Sequence, residues 1–347
     1  MKKTLLATLL FSSYSLAESN EDPDRYTFEA GKNEYMHVIS FDSDKTTDTI
    51  LEDYPEYYRN SGVMIGIFDA GFYFDHEDLK GVLSKGTNKK HYHGTLVAGI
   101  ISAKKDNELG YTGMVQGKGI YGMRYQDKTN ITERETYLKN LCSHFDVINI
   151  SQTLAYSSYR YKKSSYDEVK HLRTMQWWRE IFSSTECSDT LFIVTAGNSN
   201  VDSKKENGGI HYSKNSSGNY VYNPSDNIIV AGAIQDDEIT RNYGQSVDIY
   251  APENVGGPYK VTSSGTSTYT TNRTGTSYAA PQVTAVAAMI QYEIDNNPAR
   301  LKEYMLEKAD LTMINKVKGK STRTTSRPIL NVHKIVEKVV NDFGPKI

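Results

Sequence analysis

The stretch from Gly275 to Ile294, GTSYAAPQVTAVAAMIQYEI, carries no charge before Glu293. A run of small and apolar residues of this length predicts a buried helix. Gly275 and Thr276 form a tight turn ahead of it, which puts the Ser277 hydroxyl on the first helical turn. Free N–H groups and the positive end of the helix dipole gather there. An oxyanion formed by attack of Ser277 on a carbonyl carbon would be stabilised at that point. The same Gly-Thr-Ser also suits an ordinary N-cap, and this stretch alone leaves both readings open.

At 347 residues the chain can bury a large core, enough for one large α/β domain or two smaller ones. Its 40 Lys plus Arg against 42 Asp plus Glu, with no long basic block, argue against a nucleic-acid partner. The 26 Tyr suggest an aromatic, hydrogen-bonding surface able to hold peptide or glycan, although Tyr also serves in cores. Met1-Lys2-Lys3, an apolar segment to Tyr14 and Ser15-Leu16-Ala17 have the form of a secretory signal peptide over residues 1–17. No other stretch is apolar enough to span a bilayer. The expected location is therefore secreted or periplasmic, where two cysteines meet oxidising conditions.

Residues 18–60 form an acidic arm, and a domain is expected over 61–343. Asp42, Asp44, Asp48 and Asp53 loosely echo a calcium loop, but Thr47 stands where such a loop needs Gly, so a solvated acidic surface is the better reading. Gly62–Phe68, Asp146–Ser151 and Leu191–Ala196 are continuous apolar runs of the kind that lie in a parallel sheet covered on both faces. Helical patterns run between them, as in a doubly wound α/β fold. Asp69 ends the first run, at the sheet edge where such folds place their sites, although a simple turn with Gly71 would also account for it. His93 opens a small-residue helix, and His91 reads as a surface residue outside the turn. His76–Leu79 reads as a loop entering a short helix, and Lys204–Asn223, rich in Gly, Ser and Asn, as a surface insertion. Cys142 and Cys187 each stand four residues before a strand. If those strands are neighbours, the two thiols meet at the amino edge of the sheet as a structural disulfide.

In order, DAG, HGTLVAG and GTSYAAP resemble the signatures of the subtilisin-like serine proteases, the subtilases, and supporting segments extend the likeness from about Ser61 to Val340. The resemblance implies a three-layer α/β/α fold with a mostly parallel, doubly wound sheet, and a serine endopeptidase. It implies that Asp69 orients the imidazole of His93, that His93 acts as base for Ser277, and that Asn198 of VTAGNSN serves the oxyanion hole. Polypeptide substrate would pair along Ile150-Ser151-Gln152-Thr153. Thr153 stands where many subtilases have Gly and would narrow the S1 or S4 wall, which points to restricted specificity. Leu96 replaces a second His outside the triad, and Ala70 replaces a hydroxyl residue beside Asp69. No cofactor is implied for the chemistry, and a structural calcium ion is left open with no ligand set identified. Between Ala17 and Ser61 there is room for only about half of the usual pro-domain. The catalytic subunit of the subtilase cytotoxin shares this economy, so a toxin-type protease delivered by a partner stays among the alternatives. The others are an inactive subtilase-fold binding protein and an acyl transferase that uses an amine in place of water.

Overall fold

The computed structural model describes Tyr57 and residues 62–344, apart from 106, 108, 117–118, 125–130, 236–237, 315 and 318–324. The expected signal peptide and most of the acidic arm, with its aspartates, lie outside the described residues. Tyr57 of the arm is buried, its hydroxyl donating to the Gly344 carbonyl oxygen at 3.4 Å.

Along the chain the strands are β1 Ile65–Phe68, β2 Leu83–Lys85, β3 Ile120–Met123, β4 Val147–Ile150, β5 Leu191–Thr195, β6 Tyr212–Lys214, β7 Tyr220–Tyr222, β8 Ile228–Gln235, β9 Glu238–Ile239 and β10 Ile249–Pro252. They continue with β11 Val255–Val261, β12 Ser267–Arg273, β13 Asp310–Ile314, β14 Lys316–Val317 and β15 Thr325–Ile329. The helices that matter here are α1 Tyr92–Ser102, α2 Ile131–Cys142, α3 Glu168–Phe182, α4 Thr276–Ile290, α5 Pro298–Lys308 and α6 Val332–Phe343. The main sheet runs β13-β15-β10-β8-β5-β4-β1-β3-β2. From β2 to β15 its neighbours along that order are parallel, and β13 pairs antiparallel with β15 at the edge. After β1 the chain builds β2 and β3 to one side and then crosses to place β4 on the other. That reversal makes the carboxyl end of β1 a switch point, the position at which open α/β sheets gather ligands.

Alternate strand residues point to opposite faces, and the core divides accordingly. Ile65, Ile67, Ile193 and Ile229 pack with Leu96 of α1, Val286 of α4 and Ile335 of α6. Phe68, Ile148, Phe192 and Val230 pack with Leu138 of α2 and Trp178 and Phe182 of α3. The rings of Phe182 and Phe192 stack with centroids 4.0 Å apart. Each such fully buried large side chain contributes roughly 1.5–3 kcal/mol of transfer free energy. The sheet is thus flanked by helices on both faces. Every residue of α4 is buried, as its uncharged sequence requires.

Before Gly275 the chain forms an antiparallel hairpin, β11 with β12. Two local expectations are corrected. His76–Leu79 forms turns and not a helix. The stretch expected as a surface insertion folds inward at its start: Ser203–Lys205 and Asn207–His211 are short 3-10 turns, and Ser203, Glu206, Asn207 and His211 are buried. Its remainder is the β6–β7 hairpin. Gly, Ser and Asn favour turns by backbone geometry, which says nothing about what a turn packs against.

Two fasteners hold the amino edge of the sheet. Cys142 and Cys187 are joined as a disulfide with Cα atoms 4.8 Å apart. Beside β10, His211 Nε2 donates to Asp248 Oδ2 at 2.6 Å, and Lys302 Nζ lies 3.5 Å from the same oxygen. Burial alone would raise the Asp248 carboxyl, but electrostatic attraction to His211 and Lys302 and hydrogen bonds from His211 and the Val230 N–H hold it down at about 2. A carboxyl lowered from its ordinary 3.8 stabilises the fold above that value and loses the contribution as pH falls toward 2. Burial holds the His211 pKa below 6.5, so at pH 7 the ring is a neutral donor; Asp248→Asn should therefore cost about 3–5 kcal/mol there, because it takes the counter-charge from buried Lys302. Urea unfolding measured against pH should show that penalty shrinking below 3.8, where the carboxyl of the unfolded chain takes up a proton, and largely gone near 2, where the native one does.

Candidate active site

Asp69 immediately follows β1, whose register continues through the bond from Asp69 N to Met123 O at 3.0 Å. Its side chain is 1% exposed. A buried carboxylate needs donors. It receives the Ala70 N–H at Oδ1, 2.6 Å away, and His93 Nδ1 at 2.8 and 2.9 Å from its two oxygens. An ionised carboxylate only accepts hydrogen bonds, so Nδ1 carries the proton and Nε2 of the neutral ring is left to accept one.

His93 is the second residue of α1, and His91 caps that helix by accepting the His93 N–H at Nδ1, 3.2 Å away. His91 is therefore a half-buried cap, not the surface residue expected. Thr95 Oγ1 donates to the His91 carbonyl oxygen and accepts from Tyr73 N, which ties the helix start to the loop after β1. Gly94 permits the close approach: a Cβ there would lie 2.3 Å from the Gly71 carbonyl oxygen and 2.9 Å from Asp69 Cβ. Burial lowers the His93 pKa and the charge and hydrogen bond of Asp69 raise it, with a net upward shift from 6.5. The Arg160 charge acts weakly in the opposite sense.

Ser277 is the second residue of α4 and 8% exposed. Its Oγ donates to the Ser151 carbonyl oxygen at 3.2 Å, and Ser151 Oγ donates to the Ser277 carbonyl oxygen at 2.9 Å. Asn149 Nδ2 donates to Ser151 Oγ, and Thr284 Oγ1 donates to Asn149 Oδ1, so a buried polar chain joins the end of β4 to α4. His93 reaches the same helical turn, its ring centroid 5.5 Å from that of Tyr278. In this state the Ser277 hydroxyl faces Ser151 and not His93. Contacts between a hydroxyl and a neighbouring base commonly tighten only when substrate is bound.

Asn198 follows β5, and its Oδ1 accepts from Thr276 N at 2.9 Å and Thr276 Oγ1 at 3.2 Å. That pairing assigns Nδ2 as the outward donor, beside the start of α4. Thr276 also bonds Thr195 Oγ1 and accepts from Gly197 N, so it locks the Asn198 loop to the helix. This role was not visible in the sequence beyond the Gly-Thr-Ser turn.

Of the expected substrate edge, Ile150 is paired on both sides, with Phe68 and Val194, and lies buried inside the sheet. Ser151 is buried as well, while Gln152 and Thr153 are partly accessible. Among the described residues no group of three or more His, Cys, Asp or Glu side chains converges as a metal-binding set. No helix among them is long and apolar enough to cross a membrane. Chemically, the site combines a hydrogen-bonded carboxylate–imidazole pair with a raised pKa, a hydroxyl on the first turn of a buried helix, and an amide donor at that helix N-terminus.

The chain is similar to several known proteins. A thermophilic serine proteinase of Bacillus sp. (strain AK1) is 25% identical over 256 residues, which cover 69% of this chain and 54% of that protein. The chain thus spans about half the length of the curated relative it matches. A cold-adapted subtilisin-like serine proteinase of known structure superposes with a TM-score of 0.52 at 21% identity, covering 79% of this chain and 89% of its own. Proteases from Pseudoalteromonas arctica give 0.53 at 19%, covering 82% and 93%, and a prenylagaramide maturation protease gives 0.52 at 19%, covering 80% and 94%. At these identities the structural likeness speaks to the fold. The family model described as Subtilase family extends over residues 60–331, from just before β1 to the cap of α6, and by that match the chain belongs to the subtilases.

Proposed function

We propose that this chain is an exported serine endopeptidase of restricted specificity. The observation that carries the reading is the Asp69–His93 pair, with Nδ1 2.8 Å from the carboxylate, at the helical turn that bears Ser277. With an extended peptide seated along Gln152 and Thr153, Ser277 Oγ turns from Ser151 to His93 Nε2 and attacks the carbonyl carbon. The Oγ–C bond forms as the hydroxyl proton passes to Nε2. Asn198 Nδ2 and the Ser277 N–H stabilise the oxyanion. His93 returns the proton to the amine as the C–N bond breaks. Water, deprotonated by the same Nε2, then hydrolyses the acyl-enzyme. Asp69 stays ionised and stabilises the imidazolium. Export is supported by the signal-peptide pattern of residues 1–17 and by the Cys142–Cys187 disulfide.

Fluorophosphonate labelling tests the reading. The native protein should label stoichiometrically and Ser277→Ala not at all. An unlabelled native protein would favour the inactive binding protein, a reading to which the Ser277–Ser151 contact lends some support. Product masses on peptide substrates then separate hydrolysis from transfer to an amine.

Three kinetic outcomes follow from the geometry. Asn198→Ala should lower kcat by about 10²–10³-fold with KM little changed, the range known for one oxyanion donor in subtilisin itself. Catalysis needs neutral His93, whose pKa lies above 6.5, so kcat/KM should fall as pH drops through a midpoint above that value. Asp69→Asn removes the charge that raises it, and the acid limb should move down as the rate falls by about 10⁴-fold.

A further inference from the structure

Glu206 is a buried acid that the proposed mechanism does not use. It is 0% exposed and lies between the 3-10 turns that follow the Asn198 loop. Its Oε2 accepts the Asn198 N–H at 3.1 Å and lies against the Cα of Gly197, where an added Cβ would come within 1.8 Å of it. Gly197 has φ +104°, so the loop both requires glycine and uses the bare Cα to admit the carboxylate. The next residue, Asn207, holds the opposite wall: its Nδ2 donates to the Gln152 carbonyl oxygen at 2.9 Å and its Oδ1 accepts the Leu154 N–H at 3.0 Å. Glu206 and Asn207 therefore form the floor between two walls, the 151–154 segment leaving β4 and the 197–198 segment leaving β5. Those walls meet at Ser277, through Ser151 on one side and through Asn198 and Thr276 on the other.

A peptide whose carbonyl carbon faces Ser277 Oγ and whose carbonyl oxygen faces Asn198 would send the side chain of that same residue between these walls, toward the floor. There Glu206 Oε1 is buried with no hydrogen-bond partner among the described residues. A role confined to supporting the Asn198 loop would need one acceptor oxygen, which a neutral Gln supplies as well. A second oxygen without a donor is costly in a structural carboxylate. Burial pushes the Glu206 carboxyl above its usual range, against the Ser199 hydroxyl, the Asn198 N–H, the Arg160 charge and the Asn242 amide. Arg160 sits on an exposed helical turn, Tyr159–Lys162, and an exposed guanidinium neutralises little.

We infer that Glu206 is a specificity-determining residue, and that the enzyme cleaves after a basic residue whose cation pairs with the free Glu206 oxygen. The inference rests on the protease reading above. With Oε2 already engaged by Asn198, one oxygen remains. That suits the point charge of a lysine ammonium better than the two-pronged fork of an arginine. The preferred substrate is therefore a polypeptide with lysine supplying the attacked carbonyl, arginine second, and uncharged residues of similar length far behind.

The test uses the purified protein, with active sites first counted by fluorophosphonate. A failure to label strikes the protease reading and leads no further. On labelled enzyme, kcat/KM is compared for internally quenched peptides that differ only in that residue: Lys, Arg, Gln, Leu or Glu. Lys should exceed Gln by at least about 100-fold, a margin expected when a buried charge is left unpaired by the wrong substrate, and should exceed Arg. In Glu206→Gln the Lys-to-Gln ratio should collapse by at least about 10-fold. In Glu206→Asp, which keeps the charge but retracts it, the longer Arg should gain on Lys. Cleavage by labelled native enzyme after Leu or Gln as readily as after Lys would overturn the inference. So would an unchanged Lys-to-Gln ratio in Glu206→Gln.

Discussion

The site is built on a carboxylate placed where water barely reaches. Asp69, at the carboxyl end of β1, is almost wholly buried, and an ion in that position is tolerable only if fixed donors surround it. The Ala70 N–H supplies one and the His93 ring the other. That need sets the approach of α1 to β1, which the absence of a side chain at Gly94 permits. It also sets the tautomer of the imidazole, and with it which nitrogen faces α4. Electrostatics at one atom thus decides the packing of a helix and the protonation of a base together.

The helix opposite is held by a different device. All of α4 is buried, so burial of apolar surface drives its docking but does not specify its rotation or depth. Hydrogen bonds do that: Thr284 to Asn149, Asn149 to Ser151, Ser151 to Ser277, and Thr276 to Asn198. Each carries a directional constraint that dispersion lacks. The serine hydroxyl and the asparagine amide are brought to one helical turn by the same set of contacts.

Much of this could be read along the chain. Apolar runs such as GVMIGIF, VINIS and LFIVTA are readable as strands because both faces of a parallel sheet are covered, which removes polar alternation. Helical patterns between those runs pointed to a doubly wound parallel sheet, and the end of β1 was a natural place for Asp69. What escaped were features set by long-range packing. His91 is a cap because its Nδ1 meets the His93 N–H, a fact of dihedral angle and not of residue type. Ile150 is paired on both sides because β1 and β5 flank it, so the accessible edge begins later than the motif suggested. The segment from 203 to 211 has a loop composition yet lies under the site, since turn propensity concerns local backbone and not the neighbours it meets.

The fasteners and the chemistry occupy opposite edges of the sheet. The disulfide and the His211–Asp248–Lys302 cluster lie where the strands begin, while Asp69, Ser151 and Asn198 lie where strands end. The clamps and the site are consequently separable in this chain: the turn residues beneath Asn198 can change their side chains while the distant fasteners keep the sheet closed.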